Sequence, residues 1–257
     1  MKKIIASILG RLGYSLVRNS SLASLNAAAA RRREDLEFLA AMPVAHVAEL
    51  IRLLPESQAQ LRQDLFVLSE HGFMRGGFFV EFGAASGKEL SNTWLLEKHF
   101  GWSGILAEPA KYWHERLAVN RTCTIEHRCV WKSSGERLRF NETASAELST
   151  ISDFAAGDMH AEARKKGQTY EVTTVSLNDL LKGGPKRSTY DFLSIDTEGS
   201  EFEILSAFDF AKYPFKVITC EHAYTPKREK IYRLLTSVGY VRKHEQLSDF
   251  DDWYVRA

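Results

Sequence analysis

The sequence has few cysteines, few prolines, no long apolar run and almost no net charge. Its three cysteines in 257 residues, Cys123, Cys129 and Cys220, are an odd number without a C-x-x-C pair. That argues against a disulfide framework or a cysteine zinc site and points to a reducing compartment, the cytoplasm. No stretch reaches the roughly 18 apolar residues that a membrane span requires. With 34 Lys+Arg against 33 Asp+Glu the formal charge is +1, so no overall field draws nucleic acid and none is expected as a partner. What is present is a globular composition, 44% hydrophobic and 26% charged. The length suits one medium-sized α/β domain with an extension.

The extension is N-terminal. Lys2 and Lys3 precede Ile4, Ile5, Ile8, Leu9, Leu12 and Leu16, which share one face at a 3.6-residue period and predict an amphipathic helix. Arg11 interrupts the apolar centre that a secretory signal needs, although the alanines at 27–30 imitate a cleavage site. Two readings stay open: a helix packed on its own domain or a partner, or peripheral contact of residues 1–20 with the inner face of a membrane. Arg31-Arg32-Arg33 followed by Glu34-Asp35 reads as a solvated turn. Residues 36–71 are largely helical in pattern, interrupted at Pro55. The expected organisation is an amphipathic segment 1–30, a helical cap 31–75 and a main domain 76–257.

From Gly76 onward, short β-rich runs alternate with helical ones. Strands are expected at 78–82, 104–108, 124–131, 136–140, 171–175, 190–196 and 215–220, and two more around 241–244 and 253–256. Helices are expected at 91–100, 112–120, 177–181, 201–208 and 227–238, with a polar loop or lid at 141–167. This alternation predicts an α/β fold with a mostly parallel sheet and helices on both faces, closed by an antiparallel pair. Ligands of such sheets sit beyond the carboxyl ends of the strands.

The first strand ends in Glu81-Phe82-Gly83-Ala84-Ala85-Ser86-Gly87. Two glycines and three small residues let a ligand approach the backbone, and the next helix offers free N–H groups. The spacing is neither the G-x-G-x-x-G of dinucleotide folds nor a P-loop, which would place Ser or Thr where Glu89 stands. Glu81 can accept from a bound ammonium group, and Glu108, at the end of the second strand, from both hydroxyls of a ribose. Glu81, the glycine turn and Glu108 together favour a cationic nucleoside without phosphate, as S-adenosylmethionine is.

Five segments then form a recognisable set: Phe79-Val80-Glu81-Phe82-Gly83-Ala84, Leu90-Ser91-Asn92-Thr93-Trp94-Leu95-Leu96-Glu97, Gly104-Ile105-Leu106-Ala107-Glu108-Pro109, Leu193-Ser194-Ile195-Asp196-Thr197-Glu198-Gly199-Ser200-Glu201 and Cys220-Glu221-His222. In this order, and with Asp251-Asp252-Trp253-Tyr254-Val255, they resemble the FkbM family of S-adenosylmethionine-dependent methyltransferases from about Gly76 to Ala257. The resemblance implies the class I methyltransferase (Rossmann-like) fold with a seven-stranded, mostly parallel sheet. It implies methyl transfer to an oxygen, often a hydroxyl of a sugar, glycan or polyketide. Carried over to this chain, Glu81, Gly83, Ala84 and Gly87 form the first cofactor loop, Ser86 and Asn92 help close it, Glu108 holds the ribose, and Trp131 flanks the adenine. Leu148-Ser149-Thr150 also matches a family segment.

A sugar hydroxyl is a poor nucleophile at neutral pH, so a base or a metal is expected. Four acidic or imidazole groups, Asp196 and Glu198 after one strand and Glu221 and His222 after the next, stand at strand ends beside the cofactor strand. Asp196 and Glu198 also read as caps of the helix near Ser200. His222 or Asp196 takes the proton directly, or Asp196, Glu221 and His222 hold a Mg²⁺-like ion. The rival to catalysis is a module of the same fold that binds the cofactor without turnover. A nicotinamide oxidoreductase is disfavoured by the loop spacing and by the lack of a Tyr-x-x-x-Lys pair.

Overall fold

The computed structural model describes residues 18–143, 149–154 and 161–257, so the apolar face expected at 4–16 lies outside the described residues. The chain divides into two units, 1–41 and 42–257. In the first, helix α1 (Asn19–Ala41) runs without a break through the basic triplet at 31–33. Alanine and straight-chain residues, with no Gly or Pro after Asn19, suit a helix of that length. Among the described residues no helix is long and apolar enough to cross a membrane.

The second unit begins with helices α2 (Val47–Leu53) and α3 (Gln63–Glu70). Its centre is a seven-stranded sheet in the order β10-β11-β9-β8-β1-β2-β3. The strands are β1 (Phe78–Phe82), β2 (Ser103–Ala107), β3 (Thr124–Glu126), β8 (Tyr190–Ile195), β9 (Phe215–Glu221), β10 (Tyr240–Lys243) and β11 (Asp251–Arg256). All pairs are parallel except the two made by β11. Helices α4 (Trp94–Phe100), α5 (His114–Asn120), α7 (Leu177–Lys182), α8 (Glu201–Ser206) and α9 (Lys227–Ser237) make the crossovers. Every residue of β1 is buried, as a central strand covered on both faces requires. Alternation along β1 sends Phe78, Val80 and Phe82 into one core with Leu193, Ile218 and Tyr254, and Phe79 and Glu81 to the other face.

Four expectations are corrected, one of them the solvated turn at 31–35, which lies within α1. The single strand expected at 124–131 is two: β3 stays in the main sheet, and β4 (Cys129–Trp131) leaves it to pair with β7 (Gln168–Ser176). There β4, β7, β5 (Arg137–Glu142) and β6 (Thr150–Ile151) form a second sheet of four strands. Part of the loop expected at 141–167 is therefore ordered, including the end of β5, β6 and the short helix α6 (Ala161–Arg164). Helix α4 starts at Trp94, three residues later than expected, because Ser91 Oγ accepts from the Thr93 and Trp94 amides and turns the chain there.

Candidate active site

A cavity of about 440 Å³ opens across the carboxyl ends of β2, β1, β8 and β9, in the range of small-molecule sites. Gly83, Glu108, Val130, Asp196, Glu221 and Tyr224 mark its extent. None of the described residues lining it is lysine or arginine. Nine described non-glycine residues have left-handed backbones, and six of them, Ala85, Leu90, Glu198, Ala223, Tyr224 and Asp249, line this cavity. Such conformations cost about 1 kcal/mol or more each and collect at functional sites.

Gly83 has φ +72°, and a Cβ there would lie 1.9 Å from the Asp196 carbonyl oxygen. The ends of β1 and β8 approach this closely only because position 83 has no side chain. Ala84 is small and lines the cavity beside it.

Glu108 also lines the cavity. Its oxygens accept from the Ala85 amide at 2.8 Å and the Ala110 amide at 2.7 Å, which leaves each oxygen a second lone pair. Burial pushes its carboxyl up to about 7 against the pull of those two amides. Ribose hydroxyls donate best to an ionised carboxylate. Affinity for S-adenosylhomocysteine should therefore fall as pH drops through about 7, and Glu108→Ala should weaken it at least about tenfold, or 1.4 kcal/mol. Calorimetry at two pH values checks both; unchanged affinity in the variant removes Glu108 from the site.

Glu81 does not line the cavity, which corrects its expected contact with an ammonium group. It points to the helical face of β1, where its carboxylate accepts from Ser91 Oγ at 3.0 Å, the Asn92 amide at 2.7 Å and Thr93 Oγ1 at 2.5 Å. Arg121 Nη1 lies 3.7 Å away. Arg121 also binds Glu97 at 2.7 Å, the Gly87 carbonyl at 2.9 Å and Thr93 Oγ1 at 2.8 Å. Burial would raise Glu97, but Arg121 and the Thr122 amide hold it down at about 2. Glu81 and Arg121 thus clamp the loop 83–93 from behind.

Ser86, Gly87 and Asn92 belong to the same frame and stand outside the cavity lining. Ser86 Oγ donates to Glu89, Asn92 Nδ2 donates to Ser194 Oγ at 2.9 Å, and a Cβ on Gly87 would meet Leu117 at 2.5 Å. Trp131 is corrected too. On β4 it packs with Ala110, Phe140, Ile151 and Val172 in the core of the second sheet, and its neighbours Cys129 and Val130 line the cavity instead.

At the other end, Asp196 follows β8 and Glu221 ends β9, and the two share a hydrogen bond. Burial raises Asp196 to about 6, and burial with Asp196 beside it pushes Glu221 well up. Glu198, which the sequence placed at the same strand end, joins them. Asp196, Glu198 and Glu221 present oxygens within 4.8 Å of one another, and buried Arg164 on α6 pairs with Glu198 at 2.7 Å.

His222 is not part of this group. Its Nδ1 accepts from the Tyr224 amide at 3.0 Å, its Nε2 lies 3.8 Å from Asp252 Oδ1, and it does not line the cavity. That corrects both the catalytic and the metal-ligating role expected of His222.

A parallel sheet with one antiparallel strand next to its edge, and a cavity over its carboxyl ends, is the architecture of a class I methyltransferase. The model of the methyltransferase FkbM domain matches residues 81–254. The chain belongs to that family, whose cofactor is S-adenosylmethionine. No curated protein matches the chain. Among solved structures, the methyltransferase FkbM from Methylobacillus flagellatus is 13% identical over 87% of this chain and 58% of its own length, with a TM-score of 0.46. A precorrin-6y C5,15-methyltransferase from Geobacter metallireducens is 12% identical over 75% of this chain and 88% of its own, with a TM-score of 0.41.

Proposed function

We propose that the protein transfers a methyl group from S-adenosylmethionine to a hydroxyl oxygen of a sugar, glycan or related metabolite. The observation that carries this reading is the cavity wall: it holds Glu108, Asp196 and Glu221 and, among its described residues, no cation. Such a wall suits a ligand that brings its own positive charge and no phosphate. The cofactor fits the residues present, with the bare backbone at Gly83 for close approach and Glu108 for the ribose.

When bound, S-adenosylmethionine supplies a methyl group already electrophilic on its sulfonium. The chain's own work is to orient the acceptor and move one proton. Asp196, raised only to about 6, is ionised at neutral pH and accepts the proton of the acceptor hydroxyl. Glu221, pushed much further up, keeps its proton and donates to Asp196, fixing its orientation.

A second reading rests on the three carboxylates, whose hard oxygens are the donors Mg²⁺ takes. The set fits it poorly, because Arg164 already supplies the positive charge at Glu198. Full turnover in EDTA is expected; a loss restored by Mg²⁺ would install the metal. Calorimetric titration with S-adenosylmethionine, S-adenosylhomocysteine and NADH tests the cofactor, and turnover distinguishes an enzyme from a binding module. Peripheral attachment through residues 1–20 is a separate proposal. Anionic liposomes should float the full chain and not one lacking 2–20.

A further inference from the structure

The cavity has two ends, and the sheet order separates them. Glu108 follows β2, while Glu221 ends β9, three strands away in the order β9-β8-β1-β2. Three intervals of about 4.8 Å place those ends roughly 14 Å apart. If the ribose occupies the Glu108 end, the transferred methyl belongs near Asp196 on β8, and the acceptor must enter from the β9–β11 side.

The wall on that side is specific. Tyr224 lines the cavity with 59% of its surface exposed. Its hydroxyl donates to Asp249, which stands 25 residues later in the turn before β11 and also lines the cavity. Phe250 continues the wall. Opposite, Ala59 pairs with Leu90, and Gln63 Nε2 donates to Asp251 at 3.0 Å. The segment 59–63 therefore spans from the cofactor loop to β11 and brings Gln60 to the cavity. An open aromatic ring offers a face to C–H groups, while Asp249 and Gln60 can accept hydroxyl protons. With Asp196 and Asp249 in the wall and no described lysine or arginine lining it, an anionic acceptor would bury its charge beside like charge.

We propose that Tyr224, Asp249, Phe250 and Gln60 form the acceptor subsite, which takes a neutral hydroxylated ring such as a pyranoside and rejects its phosphorylated or carboxylated counterparts. This rests on the methyltransferase reading above and adds to it which residues choose the acceptor and by what charge.

The test is saturation-transfer NMR on the full chain with S-adenosylhomocysteine present, using a panel of neutral methyl pyranosides, their 6-phosphates and the matching uronates. Neutral rings should show transfer and the anionic ones should not. Tyr224→Ala and Asp249→Asn should each weaken the neutral ring about tenfold while S-adenosylhomocysteine affinity stays unchanged. Tyr224→Phe keeps the ring and loses only the bond to Asp249, so it should fall between wild type and Tyr224→Ala. Thermal unfolding confirms that the variants are folded. Equal binding of anionic rings, or variants that keep full affinity, overturn the proposal. So does a wild type that binds S-adenosylhomocysteine and no pyranoside, which leaves the methyltransferase reading standing. A folded wild type that binds no S-adenosylhomocysteine takes down that reading and this one together.

Discussion

Asp196→Asn should lower turnover by about 10²–10⁴-fold, the usual worth of a positioned general base, and change S-adenosylhomocysteine affinity little. Asparagine keeps the shape of the side chain and cannot accept the proton. In wild type, turnover should fall as pH drops through about 6, because burial lifts Asp196 to that value and protonation removes the base. The variant should lose that limb of the profile.

Stability should move the other way. A carboxyl whose folded pKa is raised binds its proton more tightly folded than unfolded, so its contribution is lost as pH rises from the unfolded value of 3.8 through about 6. At neutral pH the ionised Asp196 is therefore a liability that asparagine removes. Asp196→Asn should melt no lower than wild type. Equal losses of turnover, cofactor affinity and melting temperature would make Asp196 a structural residue.

The largest effect on stability is expected at Arg121→Ala. The guanidinium is fully buried, touches Glu97, Glu81, Gly87, Ser91 and Thr93, and lies over the Phe79 ring at 5.3 Å. Removing it leaves Glu81 buried without its cation and Glu97 with Lys98 alone, which costs about 3–5 kcal/mol. At 2–4 °C per kcal/mol for a domain of this size, the melting temperature should drop by roughly 6–20 °C. Because the same contacts hold the loop 83–93, cofactor affinity should fall as well. Arg121→Lys should recover part of the charge and little of the five-point geometry. A variant that melts within about 2 °C of wild type would mean that the clamp contributes nothing.

The strands of the main sheet were legible because each is a short apolar run closed by a turn residue, as in Phe78–Phe82 before Gly83. The glycine loop, Glu108 and the acids at the ends of β8 and β9 were legible for the same reason, since strand ends are where ligands sit. The second sheet was not. Thr124-Ile125 and Cys129-Val130-Trp131 read as one strand across Glu126-His127-Arg128, and nothing local records that Cys129 pairs with Thr174 rather than continuing beside β2. Glu81 was misread because its partner Arg121 is 40 positions away and only the packed helix α5 brings it near. His222 was misread because the groups that hold its ring, the Tyr224 amide and Asp252, are set by the turn after β9 and by β11. Glu198 was legible as an acid at the end of β8 but not as a neighbour of Glu221, because propensity gives no sign of its left-handed backbone, φ +58°.

Gln60 stands outside the matched family domain, which begins at residue 81, yet it forms part of the cavity wall. Of the proposed acceptor subsite, Tyr224, Asp249 and Phe250 stand within that domain, and Gln60 is set by the stretch ahead of it. Drift in the short piece ahead of the domain can retune which molecule is modified while the transfer chemistry stays under separate constraint. Exchanging 57–63 between relatives would be a small graft with a readable outcome: a new acceptor profile on an unaltered cofactor site.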